Sequence, residues 1–236
     1  MQRAPVNGTA ARLTLRREVA RKALHLVFVV VPVAYAFGFP RKWLLVALGA
    51  GALVAVVVEL ARAWHAPTRA RFVRWVGALL REHEHARWSG ATWMILSMLA
   101  VVAFAPRGVA VAAMWAITAG DAAAALVGRA FERRGDERER SDGTGVATDA
   151  ERARDGESMG ANQTTRAGSK TIRGSAACFV VTLAGALMLA RLGAMESVVA
   201  AVLATAAERY GEPVDDNARI AAAVALGIAL WHMVFS

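Results

Sequence analysis

The sequence has little cysteine and little acidic charge for its length. Among 236 residues there is one cysteine, Cys178, which excludes an intrachain disulfide and a cysteine zinc cluster. Asp and Glu number 19 against 28 Lys and Arg, so the net charge is +9. Global disorder is excluded as well, because 56% of the residues are hydrophobic. Soluble domains are about 45–50% apolar, so the composition favours a membrane protein.

Apolar residues are gathered into seven stretches that charged segments separate. A transmembrane helix needs about 20 mostly apolar residues, and several stretches reach that length only with their interfacial flanks. The sequence predicts an all-α, polytopic membrane helix bundle with about seven transmembrane helices, in a single membrane domain over residues 1–236. The weakest stretch is the sixth, which could be re-entrant. The stretches are Leu24–Phe39, Trp43–Val58, Ala91–Ala105, Val109–Val127, Ser175–Ala190, Ser197–Ala207 and Ile220–Phe235.

Basic residues are distributed unevenly between alternate loops. With a cytoplasmic N-terminus, 24 of the 28 Lys and Arg residues fall in cytoplasmic segments. Cytoplasmic loops carry such an excess, so we predict a multi-pass protein of the cell membrane with its N-terminus inside and its C-terminus outside. The surplus charge lies beside the bilayer, so the expected partner is the lipid surface and not nucleic acid. Cleavage near Ala36, as in a signal peptide, is the less favoured interpretation.

Residues 132–168 differ in composition from the rest of the chain. They contain few large apolar side chains and many charged, glycine, serine and threonine residues. Such a segment cannot bury a core, so we predict a disordered cytoplasmic loop within the membrane domain.

Ionisable residues near the ends of the apolar stretches form five clusters, and the predicted topology places all five at the cytoplasmic face. Charged groups at membrane depth are costly and are usually functional. In the first cluster, helical spacing puts Glu18, Arg21, Lys22 and His25 on one face. The second comprises Arg81, Glu82 and His85 with the run 90–92 (Gly-Ala-Thr) at the start of the third apolar stretch. An amphipathic interfacial helix explains it equally well.

The third cluster, Gly120-Asp121 with Gly128-Arg129, places a carboxylate inside an apolar stretch. An unpaired carboxylate there costs about 2.5–3.5 kcal/mol on insertion scales, which favours a functional role over a structural one. The small residues around Asp121 allow close approach of another helix or a ligand. A carboxylate is also a suitable magnesium ligand beside phosphates.

The fourth cluster, Lys170-Thr171 with Gly174-Ser175, opens the fifth apolar stretch. It is not a Walker A loop, because Ser169 stands where that motif has glycine. Hydroxyls, a lysine and a helix N-terminus nevertheless make a suitable anion site. An ordinary Ser/Thr helix cap is the alternative.

The fifth cluster is acidic and lies between the last two apolar stretches. It comprises Glu208 and the run Asp215-Asp216-Asn217. Acidic residues often fill turns and cap helices, so this cluster alone is weak. With Asp121 it offers a second set of carboxylates on the same face.

Together these motifs resemble the CTP-dependent lipid-alcohol kinases, a family that comprises dolichol kinase, phytol kinase and the yeast-type diacylglycerol kinase. The resemblance runs from about Glu18 to Asn217. Its most specific parts are the segment GDAAAALVGRAF at 120–131 and the segment KTIRGS at 170–175.

The resemblance implies an enzyme that transfers the γ-phosphate of CTP to a membrane-embedded lipid or isoprenoid alcohol, with Mg²⁺ as cofactor. The acceptor would be a polyprenol or dolichol, phytol or diacylglycerol. The implied catalytic residues are Asp121, Lys170 and His25, although the group that orients the acceptor hydroxyl stays open between a carboxylate and His25. The implied magnesium ligands are Asp121, Glu208 and Asp216. The implied CTP-binding residues are Arg21, Lys22, Gly120, Gly128, Arg129, Thr171, Gly174 and Ser175.

Two other functions fit parts of the pattern. A phosphatidate cytidylyltransferase also uses CTP and a membrane lipid as substrates, but it would form a CDP-lipid and release pyrophosphate. An acidic, HGG-containing signature of that family is not found near the C-terminus. A transporter of an anionic solute would use buried charges as a path, but no clear internal repeat supports it.

Overall fold

A computed structural model of the chain describes residues 22–76, 88–142, 170–210 and 215–235, with the backbone only at 132–142. Over these ranges the secondary structure is helical and no strand is present, which confirms the all-α prediction. Arg21 and most of the second polar cluster lie outside the described residues.

Each predicted apolar stretch lies in one helix or helical run, apart from up to three residues at its C-terminal end. A π-helical turn, Ala116–Gly120, joins the fifth helix to the sixth. The helices are α1 (Lys22–Ala36, with a turn at 28–29), α2 (Arg41–Trp64), α3 (Ala66–Val76), α4 (Gly90–Phe104), α5 (Arg107–Trp115), α6 (Asp121–Asp142), α7 (Ile172–Met188), α8 (Ala194–Arg209) and α9 (Asp216–Phe235).

Three helical runs of the described ranges are long and apolar enough to cross a membrane: Arg41–Trp64, Arg107–Phe131 and Asp216–Phe235. The helices α1, α4 and α7 are apolar but shorter. The run Arg107–Phe131 is central, since 78% of its apolar window is buried inside the protein, against 22% for α2 and for α9. The large exposed surfaces of α2 and α9 are apolar, as membrane-facing helices require.

Contacts at both ends of the bundle give the direction of each helix. Lys22 at the start of α1 pairs with Asp121, while the guanidinium of Arg107 lies 4.9 Å from the ring of Tyr35. The helix α1 is therefore antiparallel to the run α5–α6. We call the end that contains Lys22 and Asp121 the polar end, and the end that contains Tyr35 and Arg107 the opposite end.

The same alternation continues through α2 and α4. Arg41 at the start of α2 donates to the carbonyl of Val102 at 2.9 Å, which places both at the opposite end. Glu59, near the other end of α2, accepts from the backbone N–H of Ser89 at 2.8 Å. Because Ser89 caps α4, that helix begins at the polar end.

The last three helices alternate in the same way. Trp115 packs against Gly185 and donates to the carbonyl of Val181 at 2.9 Å, which fixes α7 against α5. His232 of α9 lies 2.5 Å from a carboxylate oxygen of Glu196 in the first turn of α8, at the opposite end. The helix α8 therefore runs back to the polar end, where α9 begins.

The segment predicted as a loop is partly helical. The helix α6 continues to Asp142, so residues 132–142 belong to it. Arginine and glutamate are good helix formers, and opposite charges three and four residues apart support a helix without an apolar core. Residues 143–168 lie outside the described residues.

Candidate functional site

The first part of the site is a buried ion pair between α1 and α6. The ammonium of Lys22 donates to Oδ2 of Asp121, and both residues are only 4% exposed. His25 is buried one turn along α1 from Lys22, with Nδ1 3.8 Å from Oδ2 of Asp121. Helical spacing thus brings two predicted residues of the first cluster onto the carboxylate of the third.

Asp121 follows an irregular turn of helix. The π-helical turn Ala116–Gly120 ends immediately before it, in the middle of the most buried helical run. Such turns insert one extra residue into a helix and are frequent at functional sites.

The second part of the site is centred on Lys170. Its ammonium lies 3.2 Å from Oε1 of Glu208 and 3.5 Å from Oδ2 of Asp216, and it also donates to the backbone carbonyl of Glu208. Three elements meet here: the start of α7, the end of α8 and the start of α9. The side chain of Lys170 is about one third exposed, whereas Glu208 is buried, so Lys170 is the more accessible member of the pair.

Further side chains extend this group. The hydroxyl of Ser175 lies 3.4 Å from Oε2 of Glu208, to which it donates. Arg209 donates to the same hydroxyl at 3.4 Å, and Arg219 forms an ion pair with Asp216. Arg209 and Arg219 were not among the predicted site residues.

The two parts lie at the same end of the bundle, because α6 packs against α7. A Cβ on Gly120, the residue before Asp121, would lie 3.6 Å from the sulfur of Cys178 on α7. The polar end therefore carries an alternating set of cations and carboxylates drawn from α1, α6, α7, α8 and α9.

The glycines that the resemblance assigns to CTP binding lie in the contact between α6 and α7. A Cβ on Gly174 would lie 2.6 Å from the carbonyl of Ala124, and one on Gly128 would lie 2.9 Å from Oγ1 of Thr171. A Cβ on Gly120 would lie 2.6 Å from Oγ1 of Thr182. Small residues in this pattern let two helices approach closely, so these glycines explain the tight contact of α6 with α7.

Thr171 serves as the N-cap of α7. Its hydroxyl accepts from the backbone N–H of Gly174 at 3.1 Å, so the helix-cap alternative is realised. Arg129 lies half-buried on α6, about two turns beyond Asp121. Arg173 on α7 places its guanidinium 4.3 Å from the ring of Phe131, which joins the two helices at the polar end.

Glu59 is a buried carboxylate on α2 that was not among the predicted site residues. Glu59 forms an ion pair with Arg62 and accepts hydrogen bonds from the Ser89 N–H and, at 3.0 Å, from the Thr92 hydroxyl. Glu59 and Arg62 are 3% and 5% exposed. The second predicted apolar stretch ends at Val58, one residue before this carboxylate. An acidic residue directly after an apolar run is a sequence signal for a functional or buried charge, and it would have identified Glu59.

The carboxylates suit a magnesium ion that phosphates help to hold. In the described part of the chain, no three His, Cys, Asp or Glu side chains converge well enough to bind a metal alone. Asp121, Glu208 and Asp216 therefore do not form one complete ligand cluster. Mg²⁺ usually takes one or two carboxylates together with waters and phosphate oxygens. Glu208 and Asp216, which contact the same ammonium of Lys170, fit that donor set.

Comparison with known proteins gives no match: no family model, no curated protein and no solved structure is similar to this chain. The resemblance to lipid-alcohol kinases therefore stays a prediction based on the motifs.

Proposed function

We propose that the chain is a membrane kinase that transfers the γ-phosphate of CTP to a lipid or isoprenoid alcohol. The observation that carries this proposal is the convergence of the predicted motifs at one end of an apolar helix bundle. Lys22, Asp121 and Lys170 are far apart in sequence, yet they lie at the same end of the bundle, where Lys22 pairs with Asp121 and Lys170 contacts Glu208 and Asp216. Phosphoryl transfer requires mainly positioning and stabilisation of negative charge, which such a set of cations supplies.

The proposed orientation puts the polar end at the cytoplasmic face of the cell membrane. Seven helical segments that alternate in direction would make seven crossings, with the N-terminus inside. The alternation of helix ends and the concentration of 24 of the 28 Lys and Arg residues in cytoplasmic segments support this topology. CTP would reach the site from the cytoplasm, and the alcohol would reach it from the bilayer.

The proposed phosphate site lies where α4, α7 and α9 begin. Helix N-termini carry partial positive charge and unpaired N–H groups, which favour anions. Lys170 would exchange part of its contact with Glu208 and Asp216 for phosphate oxygens, because its side chain is the most exposed of the three. Ser175 and Arg129 would contribute further donors.

Asp121 would hold Lys22 and His25 against the transferred phosphoryl group, where both can stabilise developing negative charge. Glu208 and Asp216 would hold Mg²⁺, which when bound supplies positive charge to the nucleotide phosphates. The bundle below these residues is apolar and would exclude water from the acceptor, which limits hydrolysis of CTP.

The choice of CTP over ATP comes from the family resemblance. An assay of the purified protein in lipid nanodiscs tests it directly, with γ-labelled CTP or ATP, a panel of lipid alcohols and phosphatidate. We expect labelled lipid phosphate and CDP from CTP. A CDP-lipid with release of pyrophosphate would instead indicate a cytidylyltransferase, and absence of any lipid product would contradict the proposal.

Matched variants link the activity to the site. Asp121→Asn and Lys170→Ala should each reduce the rate about 10²-fold or more, as loss of a charge-stabilising group usually does. Lys42→Ala and Glu196→Gln are the controls, because Lys42 opens α2 and Glu196 opens α8, both at the opposite end. Wild-type rates in both site variants would refute the assignment.

A further inference from the structure

A groove lies between α4 and α9, with a volume of about 740 Å³. Ligand sites for drug-sized molecules have about 300–1,000 Å³, so the groove is of ligand-binding size. Five of the seven lining residues on α9 are alanines, whose short side chains leave the space between the helices unfilled. These alanines are Ala218, Ala221, Ala222, Ala225 and Ala229.

The groove runs along the bundle from the polar end towards the opposite end. Its lining begins at Trp93 on α4 and Ala218 on α9, and it ends at Phe104 and His232. At 1.5 Å per residue the α9 wall is about 21 Å long and the α4 wall about 16 Å. That length is more than half of a hydrocarbon core of about 30 Å.

The groove opens sideways onto the outer surface of the bundle. Leu226 and Phe104 line it and are 64% and 89% exposed. Ala222 and Ala229, on the same wall, are exposed as well. In the proposed orientation this surface faces lipid, so an apolar chain can enter from the bilayer without crossing water.

A buried hydrogen-bond acceptor lies just beyond the polar end of the groove. Asn217 does not line the groove, but it precedes Ala218, the first lining residue of α9, and is 3% exposed. Its amide nitrogen donates to the carbonyl of Gly90 at 3.1 Å and to Asp215 at 2.8 Å, and this ties the start of α9 to the start of α4. Its Oδ1 is buried and has no donor among the described residues. A buried acceptor without a hydrogen bond costs free energy, so a ligand that donates a hydrogen bond to Oδ1 would bind favourably.

We propose that this groove binds one linear apolar chain of a long-chain isoprenoid alcohol, and that its hydroxyl donates to Oδ1 of Asn217. The inference rests on the proposed function and deepens it, because it assigns the acceptor to the single-chain alcohols and not to diacylglycerol. Asp216, the residue before Asn217, contacts Lys170. A hydroxyl at Asn217 is therefore beside the proposed phosphate site, whereas the sequence left this role between a carboxylate and His25.

Photo-crosslinking tests binding without requiring catalysis. The probe is a geranylgeraniol analogue with a diazirine near its apolar end, incubated with the full-length protein in nanodiscs without nucleotide. Peptide mass spectrometry should place the adduct on α4 or α9, and unlabelled geranylgeraniol should compete. Adducts confined to other helices, or better competition by diacylglycerol, would overturn the inference.

Variants that fill the groove give a second measurement. Ala225→Phe should raise KM for geranylgeraniol about tenfold or more and leave KM for CTP unchanged. Ala50→Phe is the size-matched control, because Ala50 is an exposed alanine of α2 outside the groove. If Ala225→Phe does not fold, Ala222→Phe replaces it, since Ala222 is exposed. Unchanged KM for the alcohol in a folded groove variant would contradict the inference.

The two proposals fail separately. Specific crosslinking in the groove without lipid phosphorylation from CTP would refute the kinase and retain the binding site. Phosphorylation of alcohols with adducts elsewhere would retain the kinase and refute the groove.

Asn217→Leu tests the hydroxyl contact. It removes Oδ1 but also the bond to Gly90, so Asn217→Asp is measured beside it, because an aspartate keeps an acceptor at the same position. We expect about a tenfold loss of kcat/KM for the alcohol in Asn217→Leu and partial retention in Asn217→Asp. Equal activity of the leucine variant and the wild type would contradict the contact.

Discussion

Lys22 and Asp121 are 99 positions apart in the sequence and form a buried ion pair between the start of α1 and the start of α6. Each charge would be costly in this apolar bundle without the other. The pair therefore acts as a structural connection between two helices as well as a part of the proposed site.

The Lys22→Met variant leaves the Asp121 carboxylate buried without its ammonium. Removal of one partner of a buried pair typically lowers the free energy of unfolding by about 3–5 kcal/mol. We expect a loss of that order in thermal or denaturant unfolding in detergent micelles. The double variant Lys22→Met, Asp121→Leu should recover most of the stability but no activity, because an apolar pair can replace the ions. A single variant as stable as the wild type would contradict the pair.

A methyl group at Gly174 should separate α6 from α7. The added Cβ would lie 2.6 Å from the carbonyl of Ala124, and backbone cannot move aside cheaply. We expect Gly174→Ala to lower the unfolding free energy by about 1–3 kcal/mol. Gly49→Ala on α2 is the control, because its Cβ would meet no atom within 4 Å and alanine is the better helix former. The prediction is wrong if both substitutions have the same effect.

Loss of Glu59 should loosen the start of α4. Glu59→Ala removes the acceptor of the Ser89 N–H and Thr92 hydroxyl and leaves Arg62 buried without its ion pair. Hydrogen exchange should quicken at residues 89–92, and the unfolding free energy should fall by about 3–5 kcal/mol. Glu196→Ala, in a partly exposed pair with His232, should cost about 1 kcal/mol or less. Slow exchange at Ser89 in the Glu59 variant would contradict this role.

Lysine and arginine should not be interchangeable at position 170. The ammonium of Lys170 fits between Glu208 and Asp216, and a planar guanidinium presents its donors in another geometry. We expect Lys170→Arg to keep the fold and to lose about 10²-fold in kcat. Lys42→Arg, at the opposite end, should keep full activity. Full activity of Lys170→Arg, which keeps the positive charge, would show that the geometry of the lysine side chain does not matter.

Accessibility of single cysteines tests the proposed orientation. Cys178 is buried, so Cys178→Ala provides a background without reactive thiols. In intact cells, a membrane-impermeant maleimide should label Arg191→Cys between α7 and α8. It should label Ala150→Cys, in the predicted cytoplasmic loop, only after the cells are opened. The reverse pattern would invert the topology.

The sequence predicted the helices well because membrane-compatible helices need long apolar stretches, and those are visible without a structure. Even the weak stretch Ser197–Ala207 lies inside one helix, α8. The helical extension to Asp142 was missed, since it depends on charged residues that also suit a loop. The π-helical turn was missed because no residue type marks it.

The sequence predicted several residues of the site, but it did not predict which of them contact each other. Rare charges identified Lys22, Asp121 and Lys170, but their partners depend on how helices far apart in sequence pack. Gly128 and Gly174 were assigned to CTP binding from the family resemblance, and the structure places both in the contact between α6 and α7. The groove could not be predicted either, because the alanines of α9 form a cavity only when α9 packs against α4, and the sequence does not show that packing.

The central position of the run Arg107–Phe131 has a consequence for biosynthesis. This run contains Asp121 and is the most enclosed of the candidate spans, so it is poorly suited to stand alone in lipid. Its counterion, Lys22, is translated first, and in the proposed orientation it lies at the membrane surface at the start of α1. The nascent chain thus carries a basic residue ready to neutralise the carboxylate as it arrives. A chain whose first helix has been removed should stall during insertion and be degraded, whatever catalytic residues it retains.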